Sequence, residues 1–457
     1  MSRMIRRFCL VFSLCAAALW GQLDARIDAA VQEAIKKTGV PSVSVAVVQD
    51  GKLAYAKAFG NASLAPRRAA TVHTRYAVGS ISKQFTAAAL LLLQEEGKLS
   101  LDDKVSKYFP DLTRADQITL RQLLSHTSGY EDYAPQDYII PAWTKATTPQ
   151  QILDGWAKKP LNFDPGTRWQ YSNTNYVLAA AIFEKVSGQP LGRFLKEKIF
   201  GPLDMQSAVE WPPAAEADAQ PYTRYAMGPP RPAVREASGW YSGAGQLAMT
   251  PSDLARWDIA FLQKKILSAR SYEEFAREVK LNGGGPTRYG LGLMLRSSGG
   301  VDLITHGGEV SGFLASNTVI PSRNGAVIVL SNQDCVSVTE PLARQILTLA
   351  FALEETPAER QVQAVRGILE GLAAGQIDRN LFTDNANSYF TETALKDCKA
   401  SLGRLGKLES VTFVSENQRG GMTHRSYRAQ FGKKTVNLNI YVTSGGKYEQ
   451  FLMTEQI

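Results

Sequence analysis

The chain has 457 residues, more than one ordinary domain requires. Hydrophobic residues make up 44% of it and charged residues 21%, a balance that is typical of a globular protein and excludes a disordered one. The formal net charge is +8, of which Arg3, Arg6 and Arg7 supply three charges, so the rest of the chain carries a modest +5. No basic run alternates with aromatic residues, and we therefore expect no nucleic-acid partner.

The first 21 residues are predicted to form a secretory signal peptide. Arg3, Arg6 and Arg7 supply its charged start, and the apolar stretch over residues 8–19 is short for a membrane span. Small residues at positions 16–18 provide a cleavage site. We therefore expect a periplasmic or secreted protein whose only route to a membrane is a leader that stays uncleaved.

The cysteines and histidines favour no metal or cofactor chemistry. Cys9 and Cys15 fall in the predicted leader, so only Cys335 and Cys398 remain, and whether these two pair is left open by the sequence. The four histidines show no spacing typical of metal ligands. We expect neither a disulfide framework nor a metal or other cofactor.

Residues 22–355 predict a main domain of mixed α and β structure. The apolar run over residues 80–96 contains no Gly or Pro, which indicates a buried helix. In chain order, we predict helices at 23–37, 80–96, 148–158, 175–187, 251–264 and 341–353, and strands at 42–49, 52–59, 301–305, 314–320 and 325–331. This order predicts an α+β fold with an antiparallel five-stranded sheet flanked by helices and a helical subdomain inserted after its second strand.

From residue 357 onward the character of the sequence changes. Two helical stretches, 358–374 and 390–405, precede four strand-like runs, and residues 354–357 are typical of a linker. About 100 residues are enough for a small independent domain. We predict an accessory α+β domain over 357–457 that resembles the cone-shaped fold of the nuclear transport factor and polyketide cyclase group and carries no catalytic set.

Ser80 and Lys83 are the first candidate functional residues. Gly79 lets the chain turn into the helix, so Ser80 lies at a helix N-terminus, where free N–H groups and the helix dipole favour developing negative charge. Lys83 lies three residues on, on the same helix face, where it can activate a hydroxyl that is a poor nucleophile by itself. Serine is also a common helix cap, so this pair alone does not establish catalysis.

Two further motifs follow Ser80-Ile81-Ser82-Lys83 along the chain. They are Tyr171-Ser172-Asn173 and, after the strand at 301–305, His306-Gly307-Gly308. In this order the three motifs resemble those of the serine β-lactamase and penicillin-binding protein superfamily, in its branch of class C β-lactamases, DD-peptidases and esterases. The likeness covers roughly residues 25–350 and includes the supporting segments Leu124-Ser125-His126-Thr127-Ser128-Gly129, Pro165-Gly166 and Gly290-Leu291-Gly292.

The resemblance implies a β-lactamase/transpeptidase-like fold and a set of residue roles. Ser80 is expected to attack a carbonyl, while Lys83 and Tyr171 share the work of the general base, the phenol depending on nearby cations because its free pKa is about 10. The backbone N–H groups of Ser80 and Glu309 are expected to form the oxyanion hole. The implied site therefore consists of catalytic Ser80, Lys83 and Tyr171 and substrate-binding Asn173, His306, Gly307, Gly308 and Glu309.

His306 departs from the pattern of class C β-lactamases, which carry a lysine at this position. That lysine binds a substrate carboxylate and lowers the pKa of the tyrosine, and a neutral imidazole does both less well. The difference favours a carboxylesterase or a D-amino-acid peptidase over an efficient β-lactamase. We therefore predict a serine hydrolase that forms an acyl-enzyme with an ester or amide, on a small-molecule or peptide substrate.

The alternative function is a catalytically weak protein that binds or senses cell-wall fragments or β-lactams. The intact set of Ser80, Lys83 and Tyr171 favours the hydrolase. The sequence does not specify the physiological substrate, the preference among ester, amide and β-lactam, or the oligomeric state.

Overall fold

A computed structural model describes residues 22–136, 138–210, 218–225, 228–298, 300–353, 357–432 and 434–455. The predicted signal peptide lies outside the described residues. The described chain divides into two compact units, one up to residue 353 and one from residue 357. No helix among the described residues is long and apolar enough to cross a membrane.

The first unit contains nine α-helices and twelve strands within the described residues. The helices are α1 (22–38), α2 (Ser82–Glu95), α3 (Leu120–Leu124), α4 (Pro149–Ile152), α5 (Asn173–Ser187), α6 (Leu191–Leu195), α7 (Pro251–Leu262), α8 (Ala269–Phe275) and α9 (Thr339–Phe351). The strands are β1 (Ser42–Gln49), β2 (Lys52–Leu64), β3 (Arg67–Ala69), β4 (Tyr76–Ala77), β5 (Val209–Glu210), β6 (Tyr222–Thr223), β7 (Arg231–Pro232), β8 (Leu247–Met249), β9 (Met294–Ser298), β10 (Val301–Val310), β11 (Phe313–Ile320) and β12 (Gly325–Ser331).

The main sheet of this unit is antiparallel and has seven strands in the order β3-β2-β1-β12-β11-β10-β9. The α+β class and the five central strands are confirmed, whereas the expected count of five is wrong. The two additional edge strands, β3 and β9, have three and five residues and are largely solvent-accessible. Strands this short and this exposed carry no alternating apolar pattern, which is why the sequence did not reveal them.

The sheet separates two layers of helices, and the alternation along β1 shows which residues face each layer. Val43, Val45 and Val47 pack in a core with α1 and α9. Ala46 and Val48 point to the opposite face and pack in a core with α2 and α7. Helix α2 lies inside this second core and is buried on nearly every face, as the apolar run predicted.

Strand β10 is longer than expected, and this changes the position of the third motif. We expected the strand to end at Thr305, but it continues to Val310 because Gly307 and Gly308 pair with Ser316 and Ala315 of β11. The His306-Gly307-Gly308 motif therefore lies within a strand. Beyond Thr305, β10 no longer pairs with β9, and Gly308 in this part of the strand instead approaches the backbone of Val78, shortly before helix α2.

Within the described residues, the second unit forms its own core from three α-helices and a four-stranded antiparallel meander. Its elements are α10 (Pro357–Ala374), α11 (Asp384–Tyr389), α12 (Glu392–Leu405), β13 (Leu408–Arg419), β14 (Met422–Phe431), β15 (Thr435–Val442) and β16 (Tyr448–Glu455). The strands pair in sequence order, and apolar residues from the helices and the sheet form one cluster. Cys398 in this unit and Cys335 in the first unit are free thiols.

We predict that a chain ending at residue 355 folds and retains its reactive serine. The physical reason is that the clusters of the first unit draw on residues up to 353, and the cluster of the second unit begins at Val362. Circular dichroism and labelling with a fluorophosphonate probe check the truncated chain against the full chain. An insoluble or unlabelled fragment would contradict the prediction.

Candidate active site

Ser80 lies in a short 3₁₀ turn, Gly79–Ile81, that leads directly into helix α2. Gly79 has a φ of 50°, a left-handed conformation that favours glycine, and a Cβ there would lie 2.6 Å from the backbone nitrogen of Glu309. Glycine is therefore required both for the turn and for the close approach of strand β10. Ser80 stays partly exposed at the start of a buried helix and lines the cavity described below.

Lys83 lies one turn into the helix and is completely buried. Its Nζ donates to Ser80 Oγ at 2.9 Å, to Asn173 Oδ1 at 2.8 Å and to the Ala244 carbonyl at 2.7 Å. Burial lowers the pKa of Lys83 to about 7, although the carboxylate of Asp132 acts in the opposite direction. At neutral pH the amine is therefore neutral in a large fraction of molecules. A neutral amine keeps two N–H donors for Asn173 and Ala244 and turns its lone pair toward Ser80.

Tyr171 packs against Lys83 and forms a hydrogen bond with Ser80. Its ring centroid lies 4.9 Å from Lys83 Nζ. Burial raises the pKa of Tyr171 above its usual value, and Asp132 raises it further, while the hydrogen bond with Ser80 lowers it. The phenol is therefore protonated at neutral pH. Of the two groups expected to share the role of general base, Lys83 is therefore the one that is partly deprotonated at neutral pH, while the Tyr171 hydroxyl keeps its proton.

Asn173 begins helix α5, and both ends of its amide are engaged within the protein. Oδ1 accepts from Lys83, and Nδ2 donates to Asp132 at 3.2 Å. The backbone N–H of Asn173 also donates to Asp132, at 2.9 Å. Asp132 thus fixes the amide so that its oxygen faces the lysine. The sequence analysis did not identify this carboxylate, because it lies in a loop with no periodic pattern.

The ring of His126 packs against the ring of Tyr171. The two rings stack with centroids 4.3 Å apart and planes inclined by 35°. His126 is fully buried, and its Nδ1 accepts the backbone N–H of Ser172 at 3.2 Å, which ties it to the loop that presents the tyrosine. Burial lowers the pKa of His126 well below its usual value, so the imidazole is neutral. The residue was visible in the sequence only as part of the supporting segment 124–129.

His306 lies beneath the site with both ring nitrogens engaged. Nδ1 donates to the Gly307 carbonyl at 2.5 Å, and Nε2 accepts from the Tyr289 hydroxyl at 2.9 Å. The residue is 1% exposed, and burial lowers its pKa to about 3, so it carries no charge at neutral pH. We expected His306 to bind substrate, but both of its ring nitrogens form hydrogen bonds within the protein. Tyr289, which the sequence analysis missed, holds the imidazole in this orientation.

The turn of Ser80 and strand β10 meet backbone to backbone. A Cβ on Gly308 would lie 1.9 Å from the Val78 carbonyl oxygen, which is closer still than the 2.6 Å contact described above between Gly79 and Glu309. Nothing larger than glycine fits at either position. The contact brings the backbone of Glu309 next to that of Ser80, the pair expected to form an oxyanion hole.

A cavity of about 850 Å³ opens beside Ser80. All eight residues expected from the sequence fall at it or directly behind it, since Lys83 lies under its floor and the others line it. Among the described residues, its lining includes five acids and neither lysine nor arginine. The five acids are Asp132, Glu236, Glu309, Asp334 and Glu340.

The fold and the serine–lysine–tyrosine arrangement define a serine hydrolase of the β-lactamase/transpeptidase type. The sequence model of the Beta-lactamase family matches residues 27–349. The chain belongs to this family, as the resemblance of its motifs predicted.

Individual relatives and solved structures agree with this assignment. Penicillin-binding protein 4* of Bacillus subtilis is 30% identical over 70% of this chain and 76% of its own length. A D-aminopeptidase of Gluconobacter oxydans is 28% identical over 74% of this chain, which spans 64% of that protein. A D-stereospecific amidohydrolase from Streptomyces sp. aligns with a TM-score of 0.60 and 28% identity, covering 71% of this chain and 99% of that one.

One solved structure extends the likeness in fold over nearly the whole chain. The octameric penicillin-binding protein homologue from Pyrococcus abyssi aligns with a TM-score of 0.66 at 22% identity. The alignment covers 94% of this chain and 99% of that one. At this identity the likeness concerns the fold alone.

We predict that Gly308→Ala damages the site while Gly307→Ala does not. The new methyl on residue 308 would collide with Val78, and overpacking of this kind costs about 1–3 kcal/mol of stability. A methyl on residue 307 finds its nearest neighbour at 3.6 Å, an ordinary contact. The melting temperature and the rate of fluorophosphonate labelling should both fall for Gly308→Ala and stay unchanged for Gly307→Ala. Equal losses in the two variants would contradict the close contact.

We also predict that the labelling rate of Ser80 by an uncharged fluorophosphonate rises with pH and has its midpoint near 7. The reactive form requires neutral Lys83, which is scarce below its pKa of about 7 and dominant above it. Tyr171→Phe serves as the control, since it should lower the rate without moving the midpoint. A midpoint near 9 or 10 that disappears in Tyr171→Phe would assign the titration to the tyrosine.

Proposed function

We propose that this chain hydrolyses an amide or ester bond through an acyl-enzyme on Ser80. The observation that carries the proposal is the 2.9 Å contact between Lys83 Nζ and Ser80 Oγ in a setting that keeps much of the lysine neutral. A serine hydroxyl beside a neutral, buried amine is a nucleophile with its base in place.

The arrangement supports the following sequence of steps. Ser80 Oγ bonds to the carbonyl carbon and gives its proton to Lys83. The developing oxyanion is stabilised by the backbone N–H groups of Ser80 and Glu309. Tyr171 donates its proton to the leaving nitrogen or oxygen as that bond breaks, and it regains a proton from Lys83. Water then attacks the ester on Ser80 by the same route in reverse.

The charge of the cavity supports a substrate without a carboxylate next to the scissile bond. The position of the usual lysine is held by neutral His306, and the described lining contains acids but neither lysine nor arginine. A charge-assisted hydrogen bond to a carboxylate contributes on the order of 1.5–3 kcal/mol, and here that contribution is missing. This favours an esterase or an amidase of the D-aminopeptidase kind over a β-lactamase.

A second candidate function is suggested by the similarity to a penicillin-binding protein. In that case Ser80 is acylated but the adduct persists, so that the protein binds or senses its ligand. The same residues serve both functions, and the rate of deacylation distinguishes them.

We predict that intact-mass spectrometry detects an adduct with p-nitrophenyl butyrate that is lost over time and is missing in Ser80→Ala. Steady-state turnover of this neutral ester should exceed that of nitrocefin by at least about tenfold in kcat/KM, because the β-lactam carboxylate finds no cation. The matched control is Ser100→Ala, which removes a hydroxyl elsewhere in the same unit.

Three outcomes of this experiment have distinct meanings. An adduct that persists in Ser80→Ala contradicts the assignment of the nucleophile. An adduct that forms on Ser80 and is never lost favours the binding protein. A higher kcat/KM for nitrocefin than for the ester shows that the preference drawn from His306 is wrong.

A further inference from the structure

Glu236 is one of two acids of the cavity that are almost entirely buried, the other being Asp334. Glu236 is 7% exposed and lines the cavity together with Tyr241 and Ser311. Among the described residues, no lysine or arginine forms an ion pair with its carboxylate. A buried charge without a counter-charge is costly, so its retention in a cavity wall indicates a ligand that supplies the opposite charge.

The hydrogen bonds of Glu236 are distributed unevenly between its two oxygens. Oε1 accepts from the Tyr241 hydroxyl at 2.5 Å, from the Ser311 backbone N–H at 3.1 Å and from Ser311 Oγ at 2.6 Å. Within the part of the chain that the structure describes, no group donates to Oε2. The carboxylate is therefore held rigidly through one oxygen while the other remains available to a ligand.

The anchors of Glu236 place it near the reacting centre. Ser311 follows Glu309 by two residues, at the end of strand β10. On the other side, a Cβ on Gly245 would lie 3.4 Å from the ring of Tyr241 and 3.6 Å from the carbonyl carbon of Gly79. Tyr241 and the turn of Ser80 thus flank the same glycine. A substrate bonded to Ser80 would have this carboxylate within the same cavity.

Because Oε2 is the only oxygen of Glu236 available to a ligand, the carboxylate suits some cations better than others. A guanidinium prefers two oxygens in parallel, but Oε1 already accepts three bonds. A metal ion needs several ligands, and no group of three or more suitable side chains occurs among the described residues. A primary ammonium can pair with a single oxygen through one of its three N–H groups and leave the other two to water or to other acceptors, so it fits this geometry.

We propose that Glu236 binds a primary ammonium group of the substrate through Oε2. This inference rests on the proposed acylation of Ser80 and adds the substrate class, which is amides or esters that carry a free amino group. Glu236 is then a specificity-determining residue that makes no contact with the reacting bond.

The test compares D-alanine p-nitroanilide, which carries an ammonium, with its N-acetyl derivative, which is neutral and has the same scissile bond. Glu236→Gln keeps an oxygen for Tyr241 and Ser311 and removes the charge. The KM for the cationic substrate should rise by about tenfold with kcat within about twofold, while the neutral substrate should be unaffected. Glu236→Asp, which keeps the charge, should retain part of the preference.

A charge control and a binding measurement complete the test. Glu197→Gln removes one negative charge from an exposed position and should leave both KM values unchanged. D-phenylalaninol is cationic but has no scissile carbonyl, and it should raise the melting temperature of Ser80→Ala. The same compound should have a weaker effect on the double variant Ser80→Ala/Glu236→Gln.

The outcomes separate this inference from the function on which it rests. Equal changes for the two substrates would show that Glu236 only positions Tyr241 and Ser311, and no change in either would show that it binds nothing. If D-phenylalaninol does not stabilise Ser80→Ala at millimolar concentration, the ammonium site is wrong. Failure of a fluorophosphonate to label Ser80 would overturn the proposed hydrolysis and leave the binding measurement as the test of the site.

Discussion

The burial of Lys83 beside a serine hydroxyl constrains the whole first unit. An amine removed from water needs a hydrogen-bond partner for each of its donors, since an unsatisfied buried polar group costs several kcal/mol. Ser80, Asn173 and Ala244 provide these partners from three separate segments, namely the turn before α2, the start of α5 and the loop before β8. Burying α2 together with its lysine therefore requires these three segments to meet at one nitrogen. The geometry of the site is therefore also a condition for packing the core.

A second constraint comes from two glycines, whose lack of a side chain allows two backbone segments to touch. Gly79 and Gly308 allow the turn of Ser80 and strand β10 to touch through their backbones. Since the expected oxyanion hole takes one N–H from each segment, its width depends on this contact. Rigid elements hold both sides, because one side begins a buried helix and the other is paired to β11. Preorganised amides of this kind cost nothing to reorient during a reaction.

The sequence correctly predicted those helices and strands that are marked by local residue patterns. The strands at 42–49 and 325–331 were found with their exact bounds because alternating and apolar runs mark them. For strand β10 the sequence predicted an end at Thr305, because the two glycines that follow have a low strand propensity. In the structure, pairing with β11 continues the strand through them.

Features that depend on contacts between distant segments were missed. Asp132, Tyr289 and Glu236 lie in irregular segments, and their importance comes from partners far away in sequence. Residues 205–238 show why such site residues escape prediction from local sequence. The described part of this stretch supplies Glu236 to the cavity, whereas its sequence shows only that proline is abundant.

The role assigned to His306 changed for a related reason. As a residue in a motif, it suggested a lysine replaced by a neutral imidazole that binds substrate. In the fold the ring is enclosed, so burial keeps it neutral, and its nitrogens are bonded to Tyr289 and the Gly307 carbonyl instead of facing a substrate. The same cavity is lined by acids although the chain as a whole carries a net charge of +8. Charges on the surface are screened over about 8–10 Å at physiological salt, whereas those in a cavity wall act at contact distance. A ligand therefore responds to the few carboxylates around Ser80, and the overall charge of the protein says little about which ligand that is.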